Sequence, residues 1–359
     1  MKIACFITSH GFGHATRTLA IIRKLAQKYN LDISIFSTLP NWFFSENLSS
    51  ISYKTYQLKT DVGLVQKSPF KHDLSLTLDE LNLFLQFKNE KQILKFLEKE
   101  HLDFIFCDIS PLGLHLAQKL GIPSCLLENF TWDWIYEEYL TERSDFQKPI
   151  DRLKDIFSTA SLHIQTAPIC NYSSDANHIN PIFRPSQNNG EDLKKKLEID
   201  HRKPIILVTT GGISQKYPFI EKIKKDSKHF YILTGSYSQL KKGENFCLLP
   251  QQSGIYFPDL IKTADGVVGK VGYGTVAEVW ASQKPFISIF RKDFREAQPL
   301  RKFITENIPG FEVSHQIFND GDWINDIDRL LNIKEKKNDI PVTNGSDQSL
   351  NIISNWLSS

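Results

Sequence analysis

The sequence predicts an α/β protein built from two doubly wound halves, each a parallel sheet covered by helices. Three observations carry that expectation. Short runs of Val, Ile, Leu and Phe alternate with amphipathic helical stretches, the pattern that βαβ crossovers require. The alternation lapses after residue 165 in a stretch rich in Pro, Asn and Ser, then restarts at Pro204. And 359 residues exceed what one ordinary hydrophobic core encloses.

In chain order, Ile3 to Thr8 reads as a buried strand. Ala15 to Tyr29 follows as a helix with Leu19, Ile22, Leu25 and Ala26 on one face. Asp32 to Ser37 and Ile51 to Gln57 are further strands, and Leu78 to Lys99 reads as one long helix. His101 to Asp108 is a strand, Leu112 to Leu120 a helix, Pro123 to Leu127 a strand, Asp151 to Ala160 a helix and Leu162 to Thr166 a strand. Ala167 to Asn189 is taken as the interdomain connection. The second half offers strands at Pro204 to Thr210, Phe230 to Thr234, Phe246 to Leu249, Gly266 to Gly269 and Phe286 to Phe290, the last clear one. Lys216 to Lys225 and Phe257 to Thr263 are its helices, and Gln348 to Leu357 a closing helix. The expected divisions are 1–167, 168–340 and a terminal helix within 341–359 that packs back on the first domain.

Composition narrows the function classes. A formal charge of +2 gives no reason to expect nucleic acid or an anionic membrane as a general partner. No apolar run is long enough to cross a bilayer, and the N-terminus lacks signal-peptide architecture. The five cysteines are widely spaced with no metal-ligand or CxxC pattern, so reduced thiols and a cytoplasmic protein are expected. No metal site is expected either.

The chemistry gathers at glycine-rich turns that follow strands. Val267 to Glu278 reads as an apolar strand, a turn through Gly272 and Gly274, and a helix opening near Thr275. Free amides at a helix start favour a phosphate or diphosphate. Lys270 adds a cation to balance it, and Glu278, one turn on, is placed to reach a ribose hydroxyl pair. Thr209-Thr210-Gly211-Gly212 is a second such turn. Ser9 to Arg17 is a third; it contains Gly13 and two histidines, His10 and His14, either of which suits a general base. Asp133 is a candidate acid to orient a histidine, beside Trp132, Trp134 and Tyr136.

Lys270 to Glu278, including Tyr273, and Lys284-Pro285-Phe286 resemble the donor motif of GT-B glycosyltransferases. The chain as a whole most resembles the glycosyltransferase-like N-terminal domain of the L-arabinokinase family. Four blocks carry the match: Gly11 to Arg17, Asp61 to Gln66, Asn129 to Tyr136, and Lys270 to Arg301. The resemblance implies two Rossmann-like domains facing a central cleft, with a nucleotide-diphosphate sugar as donor substrate and no bound cofactor. It implies that Pro250 and Gln251 receive the nucleotide base, that Glu296 and Gln298 hold donor-sugar hydroxyls, and that Asp61, Gly63 and Gln66 are acceptor-side. His14 matches the loop histidine of the lipid-II N-acetylglucosaminyl transferase, while Lys270 departs from the plant-type signature, which has histidine there. Asp293 and Glu296 also have capping-box spacing. No phosphate loop of the family's kinase half follows residue 315, so kinase activity is not carried over. An inverting, metal-independent glycosyltransferase with an unidentified acceptor is the expectation. A nucleotide-sugar epimerase or hydrolase, or a non-catalytic nucleotide-sugar-binding module, are the alternatives.

Overall fold

The computed structural model describes the chain apart from residues 69–70, 89, 200–201, 212–216, 238, 292–293 and 335–341. The chain divides into two compact units. The first comprises Met1–Ile182, Asp293–Glu296 and Thr343–Ser359; the second comprises Phe183–Lys292 and Ala297–Val342.

The first unit holds β1 (Lys2–Ile7), β2 (Asp32–Ser37), β3 (Tyr53–Gln57), a hairpin of β4 (Gln66–Ser68) and β5 (Lys71–His72), β6 (Phe104–Asp108), β7 (Ser124–Glu128), β8 (Leu162–Thr166) and β9 (Asn177–Ile179). Seven of these form a parallel sheet in the order β3-β2-β1-β6-β7-β8-β9. Strand β1 shows why the sheet is closed on both sides. Its alternate residues feed two cores, Ala4 and Phe6 on one face and Ile3, Cys5 and Ile7 on the other.

The second unit holds β10 (Ile205–Thr209), β11 (Phe230–Tyr237), β12 (Lys241–Lys242), β13 (Phe246–Pro250), β14 (Gly266–Lys270), β15 (Phe286–Ile289) and β16 (Gly310–Glu312). Their order is β12-β13-β11-β10-β14-β15-β16, parallel except for the short β12 edge. Again β10 is split between faces, with Ile205 and Leu207 on one core and Ile206 and Val208 on the other.

Three expectations are corrected. The long helix of Leu78 to Lys99 is two helices, Leu74–Phe84 and Glu90–Glu100. Between them Phe87 takes a left-handed φ of 47° and stacks on His115 at 4.0 Å, a tertiary contact that interrupts the helical periodicity. The supposed connection is partly first-unit sheet, since β9 pairs with β8 before the division at Ile182. Its polar composition conceals a short edge strand. Phe286 to Phe290 is followed by one more strand, β16, alongside β15. The expected capping role of Asp293 falls outside the described residues; a helix spans Ala297–Asn307 downstream.

The terminal helix, Gly345–Trp356, belongs to the first unit. Asn344 caps it by accepting from Ser346 N at 3.0 Å. Tyr29 donates to Ser354 Oγ at 2.9 Å, and Trp356 meets Phe104 edge-on at 5.6 Å.

Gly269 marks a close approach of strands in the second sheet. It pairs with Thr209, and a Cβ there would stand 2.5 Å from the Thr209 carbonyl oxygen. Because that obstacle is backbone, Gly269→Ala should destabilise by about 1–3 kcal/mol. Thermal unfolding is expected to show a fall of roughly 2–4 °C per kcal/mol; an unchanged melting temperature would contradict the packing.

Candidate functional site

Each sheet has one point where the strand order reverses, and such points open crevices at the carboxyl ends of the strands. In the first sheet it lies between β1 and β6, and in the second between β10 and β14. The sequence-predicted glycine turns leave β1, β10 and β14, while Asp133, Pro250, Gln251, Glu296 and Gln298 lie at or after the ends of other strands.

On the first unit, the chain leaves β1, turns at Gly11 with φ 103°, and enters the helix Phe12–Lys28. No side chain caps this helix start and no acidic residue occupies its first turn. His14 and Arg17 are three residues apart, so they share one face. That face meets Asp108, the last residue of β6, which pairs with Ile7 in the sheet. Arg17 is fully buried, and so is Asp108. Arg17 Nε donates to Asp108 Oδ2 at 2.7 Å and Nη2 to Oδ1 at 2.6 Å, a two-pronged grip. Thr18 Oγ1 also donates to Oδ2, at 2.9 Å. His14 Nδ1 lies 2.9 Å from Asp108 Oδ1 and 2.9 Å from Arg17 Nη2. The far side of Arg17 continues the network: Nη1 donates to Asn129 Oδ1 at 2.5 Å, and Asn129 Nδ2 donates to Glu296 Oε1 at 2.8 Å.

Burial alone drives the Asp108 carboxyl upward, but the Arg17 charge and the contacts with Arg17 and His14 outweigh it and hold it below the usual carboxylate range. Nearby Asp61 goes the other way. Burial lifts its pKa although Thr8 and Trp132 hydrogen-bond to it.

Aromatic side chains wall this site. Trp132 Nε1 donates to Asp61 Oδ2 at 2.7 Å, and Tyr136 OH donates to the Gly63 carbonyl at 2.7 Å. His10 meets Trp132 edge-on at 5.1 Å, with Phe294 at 6.4 Å. A Cβ on Gly63 would come within 2.6 Å of His10 Nδ1, and Gly63 has φ 65°, so only glycine fits. Gly13, half-buried, contributes its carbonyl to Thr16 Oγ1 at 2.7 Å. Residues from all four motif blocks thus meet on this unit, the last through Phe294, Arg295, which lies over the Trp134 ring, and Glu296.

The acid beside His14 is Asp108, and this corrects the expectation for Asp133. The helix Trp132–Glu137 turns about 100° per residue, so Trp132 faces Asp61 while its neighbour points elsewhere. Asp133 is buried, hydrogen-bonds Thr131, and feels the charges of Lys154 and Glu137; burial raises its pKa. Asp108 left a signal in the sequence, a carboxylate closing the apolar run Phe104 to Cys107. Arg17 left another, its three-residue spacing from His14.

On the second unit, Gly272 is the N-cap and the helix spans Tyr273–Ser282, starting two residues earlier than Thr275. No side chain caps it, its first turn holds no acid, and a Cβ on Gly272 would meet nothing within 4 Å. Gly274 is half-buried within its first turn and Thr275 is buried, while Lys270 is half-buried at the end of β14. Across the switch point, Gly211 is exposed with φ 67° and donates its N–H to Thr209 Oγ1 at 3.2 Å. Gly212 lies outside the described residues. Pro250 ends β13 half-buried and Gln251 follows it, exposed. Gln298 is exposed in the first turn of the Ala297–Asn307 helix, while Glu296 is buried on the first unit.

Glu278 is buried and engaged. Arg184 Nε donates to its Oε1 at 2.7 Å, and the Arg184 backbone N–H also bonds to it. Burial raises its pKa, against the opposing effect of Arg184. Nothing in the sequence marked Arg184, which falls in the polar connection. That segment is fastened again by Asp259 Oδ1, which accepts from Ser186 Oγ at 2.9 Å and Gln187 N at 2.7 Å. Among the described residues, no cluster of three or more His, Cys, Asp or Glu side chains is arranged to hold a metal ion. No described helix is long and apolar enough to cross a membrane.

The buried pair gives a stability test. Removing one partner of a buried ion pair costs about 3–5 kcal/mol, so Asp108→Ala should lose that much in urea unfolding at pH 7. Because its folded pKa is lowered, Asp108 stabilises fully above the unfolded carboxylate pKa of about 3.9, and that contribution is lost as pH falls through the lower folded value. The variant should therefore lack this acid-side decline; an identical acid profile would contradict the geometry.

No protein-family model matches the chain. It is 25% identical over 340 residues to L-arabinokinase of Arabidopsis thaliana, which covers 93% of this chain and 32% of that protein. The chain therefore spans about a third of that relative's length. It is 22% identical over 312 residues to an uncharacterized glycosyltransferase of Methanosarcina mazei, covering 80% of this chain and 79% of the other. Among solved structures, the calicheamicin glycosyltransferase CalG4 superposes with a TM-score of 0.65 at 13% identity, over 99% of this chain and 98% of its own. Phytolacca americana UGT2, solved with UDP-2fluoro-glucose and pterostilbene, superposes with a TM-score of 0.60 at 12% identity over 100% of both chains.

Proposed function

We propose that this chain, a GT-B glycosyltransferase by fold and by homology, transfers a sugar from a nucleotide-diphosphate donor with inversion and without a metal. The observation that carries the reading is the His14–Asp108 contact at the start of an uncapped helix. A histidine beside a buried carboxylate has one ring nitrogen fixed and the other available for proton transfer. In this reading Nδ1 carries its proton toward Asp108, and Nε2 is the base.

The steps follow from the residues. On the second unit, the backbone amides of Tyr273, Gly274 and Thr275 receive the donor diphosphate, and Lys270 balances its charge. Gly211 lets the neighbouring turn approach without a side chain. Pro250 and Gln251 receive the base, Glu278 the ribose hydroxyls, and Gln298 a sugar hydroxyl. On the first unit, an acceptor hydroxyl gives its proton to His14 Nε2 while its oxygen attacks the anomeric carbon. The bond from that carbon to the β-phosphate oxygen breaks, and its electron pair leaves with the nucleoside diphosphate. One displacement inverts the anomeric centre. Asp108 stabilises the imidazolium that forms, and His10, beside Trp132, contacts the acceptor. The two compounds in the Phytolacca americana UGT2 structure, UDP-2fluoro-glucose and pterostilbene, support a nucleotide-sugar donor and a separate acceptor.

A donor series should reveal itself by thermal shift. A ligand at a hundred times its Kd stabilises the fold by about 2.7 kcal/mol. We expect one nucleoside diphosphate to raise the melting temperature, and Lys270→Ala to abolish most of that shift. His14→Gln should keep the shift yet lower kcat by about 10²–10⁴-fold, the worth of a general base. A panel without any shift, or full turnover in His14→Gln, would sink the reading.

A further inference from the structure

Glu296 lies in the C-terminal half of the sequence, within a motif whose resemblance implies a donor-sugar ligand. The fold places it on the first unit instead, buried and hydrogen-bonded to Asn129. Asn129 is itself gripped at both ends of its amide. Its Oδ1 accepts from Arg17 Nη1 and its Nδ2 donates to Glu296 Oε1. Turning the amide over would set its NH₂ against the guanidinium and its carbonyl against the carboxylate. Glu296 and Arg17 therefore select one and the same amide orientation. The Asn129 backbone is fixed as well, since its carbonyl accepts from Cys170 N at 2.8 Å.

From Arg17 the constraint runs on to the base. With Nη1 committed to Asn129, the guanidinium plane is set, and Nε and Nη2 close on the two Asp108 oxygens. Asp108 Oδ1 in turn faces His14 Nδ1. Every member of this chain of contacts is at least nine-tenths buried. In so dry a setting each contact restrains its neighbour more strongly than it would in water.

We propose that Glu296 is a positioning residue for His14, acting through Asn129, Arg17 and Asp108, and not a ligand of the donor sugar. This rests on His14 being the base. Glu296 directly precedes the helix Ala297–Asn307, so the network joins the base to the start of that helix along the chain.

The test is a swap of the hydrogen-bonding pair. Asn129→Asp sets two carboxylates against each other, whereas in the double variant Asn129→Asp/Glu296→Gln the introduced amide donates to the introduced carboxylate while Arg17 keeps an acceptor. Misplacing a catalytic group by about 1 Å costs on the order of 10²-fold, so Asn129→Asp should lose about that much kcat. Its donor KM should stay within about twofold, the mark of an interaction that is not donor binding. The double variant should recover most of the lost kcat. A donor ligand would behave differently, with Glu296→Gln raising donor KM and the double variant recovering nothing; that result overturns the proposal.

A second readout needs no substrate. In protein labelled with ¹⁵N-histidine, the His14 ring signals, assigned with His14→Gln, should move in Asn129→Asp and return in the double variant. Signals that stay put in Asn129→Asp overturn the proposal even if no transfer activity is ever found. Signals that move and return, with no turnover in the wild type, leave the positioning network standing and remove the base assignment instead. Should Asn129→Asp not fold, Glu296→Ala carries the same comparison: displaced His14 signals with donor affinity kept support the proposal, and unmoved signals overturn it.

Discussion

The constraint that organises this protein is the ordering of its two parallel sheets. A parallel sheet whose strands are added first to one side and then to the other must leave a gap where the direction changes. Here the gaps fall between β1 and β6 and between β10 and β14, beside the first strand of each unit. The loops leaving those strands cannot cross over a neighbouring connection, so their backbone stays open to a ligand. In both units a strand runs into a glycine and then a helix without a side-chain cap. Those helix starts are where the fold leaves backbone donors without a side-chain cap.

What distinguishes the two gaps is how charge is handled. On the first unit, Arg17 and Asp108 are both fully buried, an arrangement whose desolvation cost is offset only by complete pairing. Asp108 has four polar neighbours, and Arg17 spans from it to Asn129. Such a network contributes little net stability over an apolar core of equal volume, but it fixes geometry. On the second unit Glu278 and Arg184 form a buried pair as well, while Lys270 at the end of β14 is only half-buried.

Much of this was legible in the sequence, for identifiable reasons. Strands such as Ile205–Thr209 and Gly266–Lys270 announce themselves because residues buried on both faces leave no polar alternation. The glycine turns at Gly11 and Gly272 mark the two helix starts. What escaped was tertiary. The break at Phe87 is made by a ring stacked on His115, invisible to helical periodicity. The partnership of His14 with Asp108 spans ninety-four positions, whereas Asp133 drew notice only through the aromatic residues beside it. The placement of Glu296 on the first unit is likewise a product of chain path, which a local motif cannot encode.

The donor site is tested most directly at the amides of Tyr273, Gly274 and Thr275. Crystals grown with the nucleoside diphosphate that shifts the melting temperature would locate that ligand. Its diphosphate is expected on those backbone N–H groups, with Lys270 within hydrogen-bonding distance of a phosphate oxygen. A well-ordered nucleotide bound elsewhere, with this loop bare, would contradict it.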